Sequence, residues 1–344
     1  MGKSENILSL LEQRLRNGFY QAGSKFPSET LLADEFSVNK MTMNKVVSLL
    51  VNKGFLVRGI RGAGTRVAAG NIKASGSIVF LATLTPYAMQ VLQGIYDEAV
   101  RHNFNVIIES PGRQDISRRL QLLRDSGIVS VAAIHFGIPL MPQGMRLCCI
   151  DTMPTATEMS DVAFVNSNNF QGGRKIMSEI IKRGHREILI FSTQRFAGLP
   201  DAPQIPRISG MHRVMEENGI ADFEKRTFFS ASCSDEDAKK FLTQHLAEYP
   251  KTTIIATDHD GNAALIHRAA LELGIDCPGK IALTGFGNVS NLPIATVDQN
   301  PYHQGELAAR RLINKELDGS LEFPAREEVD TKLVNSDCIP IKLG

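Results

Sequence analysis

Between Phe26 and Val67 four short segments follow one another in an order that few folds accommodate. Pro27 fixes the backbone just ahead of Ser28, a good N-cap, and Glu29 is favourable in a first turn. Leu31, Leu32 and Phe36 then give the predicted helix an apolar face. Ser37-Val38-Asn39 forms the turn. Asn39 caps a second helix in which Met43, Val46, Val47 and Leu50 recur at i, i+3, i+4 and i+7, leaving Lys40, Thr42, Asn44, Lys45 and Ser48 on other faces. Gly54 ends that helix, and Phe55-Leu56-Val57 and Thr65-Arg66-Val67 flank a glycine-punctuated turn that carries Arg58 and Arg61. Helix, turn, helix and basic hairpin predict a winged helix-turn-helix. Its polar helix face suits a DNA groove, and the arginines Arg58, Arg61 and Arg66 suit the negative potential of a minor groove.

The charge distribution agrees with this reading. The first 72 residues hold ten Lys or Arg against five Asp or Glu, net +5, and the rest holds 28 against 32, net −4, within a whole of +1. A basic head of this kind draws most of its affinity from phosphates, so binding is expected to weaken steeply with salt. The 344 residues imply two or three domains at ~100–200 residues each. No apolar run approaches the ~18 residues of a membrane span. The N-terminus enters an amphipathic helix (Ile7, Leu8, Leu10, Leu11, Leu15) with no signal-peptide profile, so a cytoplasmic protein is expected. Five cysteines without CxxC spacing fit idle thiols in a reducing compartment.

After a small, polar stretch from Ala68 to Gly76 the periodicity changes. Apolar strands are predicted at Ser77 to Thr83, Asn105 to Glu109, Val129 to His135 and Leu147 to Ile150, with helices at Ala88 to His102 and Asp115 to Asp125. The alternation then repeats, with strands near Glu187 to Phe191, Arg226 to Phe229, Thr253 to Ala256 and Lys280 to Thr284. The matching helices lie near Phe170 to Arg183, Pro206 to Asn218, Asp235 to Glu248 and Gly261 to Leu273. The expected fold class is α/β: an N-terminal winged helix-turn-helix plus a two-lobed, doubly wound parallel-sheet effector domain with a ligand crevice at the strands' carboxyl ends. The expected domains are 1–70 for DNA binding, 71–76 as linker, and 77–344 for effector binding and dimerisation.

Pro27-Ser28-Glu29, Val38-Asn39-Lys40-Met41-Thr42-Met43-Asn44 and Gly62-Ala63-Gly64-Thr65-Arg66-Val67 resemble the GntR family of winged-helix regulators over about residues 4 to 69. The resemblance implies DNA contacts from Ser28, Thr30, Lys40, Met41, Thr42, Asn44, Lys45, Arg58, Arg61, Gly64 and Arg66. Arginine is usual in that family where Thr30, Lys40 and Asn44 stand here. Lys40 keeps a phosphate-seeking charge without the planar fork, and Asn44 can pair with adenine or bond to phosphate.

From about Ser77 onward five phrases resemble the LacI/GalR family, whose effector domain is built like a periplasmic sugar-binding protein. They are Val165 to Gly173 followed by Gly184-His185-Arg186; Arg207-Ile208-Ser209-Gly210; Ala256-Thr257-Asp258-His259-Asp260; Ile281 to Asn288; and Ala295-Thr296-Val297-Asp298-Gln299. That family's hinge helix has no counterpart here, so the chain is similar to chimaeric arabinose-repressor-type regulators. The resemblance implies a small ligand between the lobes, most often a sugar, contacted by Arg207, Asp151, His259, Asn288 and Gln299. Arg207 offers five donors in one plane for two hydroxyls or a carboxylate; otherwise it is a surface arginine at a helix start. Near Thr85 and Tyr87 an aromatic ring can stack on a sugar or simply pack. Histidine at 259 and glycine at 287 replace the family's usual amide and carboxylate. With Arg207 this makes a sugar acid or phosphosugar the expected ligand, a neutral sugar held by Asp151 and Gln299 the alternative.

No nucleophile elbow, HExxH or phosphate loop is present, so no enzyme activity, cofactor or metal is expected. Gly285-Phe286-Gly287 lacks the third glycine of a dinucleotide fingerprint, and Asp258-His259-Asp260 lacks a second ligand cluster. The expected protein is a homodimeric transcriptional regulator, a repressor released by its ligand, reading a palindromic operator. A transport-type binding protein would need an export signal and no winged helix, and an aminotransferase-like fusion would need a longer catalytic domain.

Overall fold

The computed structural model describes residues 3–16, 19–59, 64–68, 76–110, 116–134, 142–152, 162–193, 204–230, 233–317 and 325–342. The chain divides into two compact units, Met1–Gly76 and Ser77–Gly344. Most of the 71–76 stretch, and Arg61, lie outside the described residues.

The first unit holds α1 (Lys3–Arg16), α2 (Glu29–Glu35), α3 (Lys40–Asn52) and an antiparallel pair, β1 (Leu56–Arg58) and β2 (Thr65–Val67). Both caps form as the sequence requires: Ser28 accepts the Leu31 N–H and Asn39 accepts the Thr42 N–H. Met43, Val46, Val47 and Leu50 are all buried and meet Ile7, Leu11, Phe26, Leu32 and Phe55 in one core. Each such side chain contributes roughly 1.5–3 kcal/mol on burial. Leu31 departs from its expected role. It is 66 % exposed, because Leu32 and Ala33 are the α2 residues that turn inward.

The second unit contains two parallel sheets. The first has strand order β13-β7-β6-β5-β3-β4, from β3 (Gly76–Leu81), β4 (Phe104–Glu109), β5 (Ser130–Ile134), β6 (Arg146–Ile150), β7 (Val162–Ser167) and β13 (Ala325–Val329). The second has order β11-β10-β8-β9, from β8 (Ile188–Thr193), β9 (Thr227–Ser230), β10 (Ile254–Thr257) and β11 (Ala282–Thr284). Helices α4 (Pro86–Arg101) and α5 (Ile116–Asp125) accompany the first lobe; α6 (Asn169–Lys182), α7 (Gln204–Glu217), α8 (Asp235–Glu248) and α9 (Asp260–Glu272) accompany the second. The chain then returns. α10 (Pro301–Leu317) packs on α4 and β13 pairs with β7, while β12 (Thr296–Asp298) pairs with β14 (Lys332–Val334) beside the second lobe. β7, β12, β13, β14 and α10 were not predicted by periodicity; β13 and β14 find their partners, β7 and β12, far back in the chain.

The crossing of α6 and α7 is close enough to demand glycine on both helices. A Cβ at Gly173 of α6 would stand 2.0 Å from the Arg207 carbonyl oxygen, and one at Gly210 of α7 would stand 2.1 Å from that of Phe170. This reciprocal contact sets α7 directly on α6. It therefore fixes the depth at which Arg207 enters the molecule.

Candidate functional site

On the first unit the α3 N-terminus presents Lys40, Met41, Asn44 and Lys45 to solvent, with Thr42 half-buried; Ser28 and Thr30 are exposed nearby. Asn44 does not stand free. Its Nδ2 donates to both oxygens of Glu29 at 2.9 Å. Arg58, expected at a free wing, is turned back to Ser48 Oγ at 2.8 Å, with Glu29 3.6 Å away. Arg66 donates to the Gly23 carbonyl, and Gly64 takes φ +74 at the base of the hairpin. A tethered arginine gives the face a fixed shape as well as a charge.

In the second unit a cavity of about 430 Å³ opens among Thr85, Tyr87, Asp151, Arg207, His259 and Gln299, six of the seven residues expected to meet a ligand. Asn288 is not among the lining. It follows Gly287 (φ +125), itself takes φ 53, and thereby turns its amide onto Asp298 at 3.0 Å. Gln204, Cys233, Asn262, Leu265, Arg268 and Val289 complete much of the wall. Sequence reasoning missed them because they lie on loops and helix faces whose aim depends on packing. The Oε1 of Gln204 is buried and has no hydrogen-bond partner among the described residues, so it is an acceptor awaiting a donor.

Arg207 is 2 % exposed, which removes the surface-arginine alternative. Its Nε donates to Asn169 Oδ1 at 2.7 Å, Nη1 to the Asp258 carbonyl at 3.0 Å, and Nη2 to Asp151 Oδ2 at 3.3 Å, while its guanidinium covers the Phe286 ring at 4.3 Å. Of its five N–H groups two remain for a ligand. Asp151, at φ 49 just beyond β6, also accepts from Asn169 and from Gln299 Nε2. One carboxylate thus joins the end of a first-lobe strand to α6, α7 and the residue after β12. A buried charge is tolerable only when paired in this way.

His259 is the N-cap of α9, its Nδ1 accepting the Gly261 N–H at 2.9 Å, so the neutral ring carries its proton on Nε2. Burial, with the nearby Arg207 charge, holds its pKa below the ordinary histidine range. It gives up its proton more readily than the free side chain would. Asp258 is held by Ser192 and Asn262, and burial pushes its pKa up. The backbone N–H groups of Val289 and Ser290 and the Thr296 hydroxyl occupy Asp260. Arg268 pairs with Asp235 at 2.8 Å. Each cleft arginine therefore has its own carboxylate, so an entering anion meets no unpaired arginine in the described lining. Tyr87 is buried: its ring packs in the first-lobe core and its hydroxyl donates to Gln304 at 2.9 Å.

A winged helix-turn-helix joined to a two-lobed α/β unit with a polar cleft is the architecture of a ligand-responsive transcriptional regulator. Comparison with known proteins gives its lineage: residues 3–67 match the gntR family of bacterial regulatory proteins, and residues 177–336 match the periplasmic binding protein-like domain. The chain thus carries a gntR-family head and a periplasmic-binding-protein-like receptor domain. It is similar to the ribose operon repressor of Bacillus subtilis (strain 168), 24 % identical over 66 % of this chain and 69 % of that one. It is likewise similar to the HTH-type transcriptional regulator GntR of Escherichia coli (strain K12), 23 % identical over 68 % and 72 %. Among solved structures the fold is shared with a CelR–cellobiose complex (TM-score 0.65, 15 % identity, 90 % of this chain and 98 % of that one). A ribose-bound LacI family regulator from Enterococcus faecium shares it at TM-score 0.60, 16 % identity, 74 % and 96 %. No helix among the described residues is long and apolar enough to cross a membrane.

Proposed function

We propose that this regulator is a cytoplasmic, homodimeric repressor that leaves its operator when a neutral, polyhydroxylated molecule of sugar type enters the cleft. The observation that carries the ligand class is the pairing of Arg207 with Asp151. It favours the neutral-sugar alternative over the sugar-acid expectation, which rested on Arg207 and His259 with glycine at 287. A hydroxyl donates and accepts at once, and here it meets the spare Arg207 N–H groups, the His259 Nε2–H and the orphan Gln204 Oε1. The ribose- and cellobiose-bound relatives in fold support the same class, and the repressor relatives support the sign of regulation.

Dimerisation is supported by an apolar stripe on α4, where Met89, Tyr96 and Val100 are 49 %, 53 % and 44 % exposed, and by the two-fold sites that helix-turn-helix proteins read. Closing the lobes changes the spacing of the heads, with a coupling of about 1–3 kcal/mol. The test is a thermal-shift screen of neutral sugars, sugar acids and sugar phosphates, followed by DNA release measured by anisotropy. Neutral sugars are expected to raise Tm and release DNA, and Arg207→Ala is expected to abolish both effects while DNA binding persists. Stabilisation by anionic sugars alone contradicts the ligand class, and an Arg207→Ala protein still released by ligand contradicts the site.

A further inference from the structure

Gln299 enters the cleft from just beyond β12, and one end of its amide is already committed. Its Nε2 stands 3.2 Å from Asp151 Oδ2 and 3.3 Å from Ser167 Oγ, acceptors on two different residues, so both of its N–H groups have an acceptor. The Asp151 carboxylate, ion-paired with Arg207, takes only donors, which settles that the amide end facing it is the NH₂. Gln299 lines the cavity, and its Oε1 has no hydrogen-bond partner among the described residues. Gly287 leaves that oxygen uncovered, since a Cβ at this position would stand 3.7 Å from it. Behind the amide, Ser167 Oγ accepts from Gln299 and, at 2.9 Å, from Gln304 Nε2, and donates to the Gln299 carbonyl at 3.2 Å. Gln304, fully buried on α10, donates to the same carbonyl at 2.8 Å and accepts the Tyr87 hydroxyl on its Oε1 at 2.9 Å.

We propose that Gln299 Oε1 is the cleft's acceptor for one ligand hydroxyl, and that Ser167 and Gln304 are positioning residues that hold it in that sense. This rests on the proposed reading of the cleft as a neutral-sugar site. A hydroxyl satisfies an acceptor through its hydrogen, whereas a fluorine or an ether oxygen in the same place sets lone pair against lone pair. A buried carbonyl left without a donor keeps its whole desolvation cost, so the refusal is stronger than the gain from the bond itself. A free glutamine would escape by turning its NH₂ toward the ligand. Here that turn would set Oε1 against the Asp151 carboxylate and take the amide donor from Ser167. Arg207 and His259 offer donors across the same floor, so the cleft reads hydroxyls in both senses, and at Gln299 it requires one that donates.

The test is isothermal titration of the full-length protein with D-ribose, D-glucose, D-galactose and cellobiose, and with the monodeoxyfluoro analogues of each sugar that binds. Wild type, Gln299→Met, Ser167→Ala and Gln304→Met are compared. Wild type is expected to bind the analogue fluorinated at one position at least about fivefold more weakly than the parent sugar. Gln299→Met is expected to weaken the parent and to abolish the difference at that position, which assigns the hydroxyl. Ser167→Ala frees one amide N–H for the ligand and Gln304→Met loosens both Ser167 and the Gln299 carbonyl, so each is expected to shrink the same ratio below about twofold. A purely structural loss would weaken parent and analogue alike, and a wild-type ratio in both variants overturns the positioning role. Fluorine ratios in Gln299→Met that match wild type at every position overturn the acceptor, as does a wild type that tolerates fluorine everywhere. Binding of none of these sugars defeats the neutral-sugar reading of the cleft, and this inference with it.

Discussion

Replacing Gly173 by alanine tests whether the α6–α7 crossing sets the cleft. The added Cβ would lie 2.0 Å from the Arg207 carbonyl oxygen, against a practical minimum of 3.0 Å, so the helices must part by about 1 Å. Asn169 lies one turn before Gly173 on α6, and its Oδ1 receives the Arg207 Nε at 2.7 Å. A parting of about 1 Å takes that bond past hydrogen-bonding range and drags the guanidinium from Asp151. Overpacking of this kind costs roughly 1–3 kcal/mol. That corresponds to a fall in Tm of roughly 2–12 °C, taking ~2–4 °C per kcal/mol for a unit of this size. Calorimetry without ligand reads the stability, and titration with whichever sugar stabilises wild type reads the cleft. The reasoning requires both to fall, because one displacement causes both. A Gly173→Ala protein with unchanged Tm and unchanged ligand affinity would refute the interlock.

Asp151→Asn removes the charge opposite Arg207, and the variant is expected to lose neutral-sugar affinity and gain sugar acids in the same thermal-shift screen; persistence of the wild-type preference would mean that the pair does not set ligand charge. Burial depresses the pKa values of His185, His212 and His259 below 6.5. The unfolded chain therefore takes up protons that the folded chain refuses, so stability present above about pH 6.5 is lost as pH falls below it. Urea midpoints are expected to drop from pH 7.5 to 5.5, with a smaller drop in His212→Gln; a midpoint that rises over that interval contradicts the sign.

The winged helix could be read from the sequence because its signals are local. Ser28, Asn39 and Gly54 act within a turn of themselves, and the i, i+3, i+4, i+7 apolar set of α3 needs only the helical period to be recognised. The strand and helix alternation of the two lobes was legible for the same reason. Arg207, Asp151, His259 and Gln299 were legible as strand-end and helix-start residues within short phrases. Leu31 and Asn288 show the limit: one residue of rotation about a helix, or one left-handed turn after Gly287, sends a side chain elsewhere.

Chain order and local chemistry thus determined that this protein has a basic reading head and a two-lobed receptor. Only the tertiary structure decided what the key side chains are free to do. Asp151 and Arg207 stand 56 positions apart, Glu29 and Asn44 15 apart, and neither pairing follows from periodicity. Long-range packing brings each pair together, and in each a partner takes up the hydrogen-bonding capacity that the isolated side chain would have offered. Arg207 becomes a neutralised donor in place of an anion trap, and Asn44 becomes an amide already bonded to Glu29 in place of a free one. The physical reason is common to both: a charged or amide group is defined by the valences left after its neighbours have bonded, and those neighbours are set by the fold.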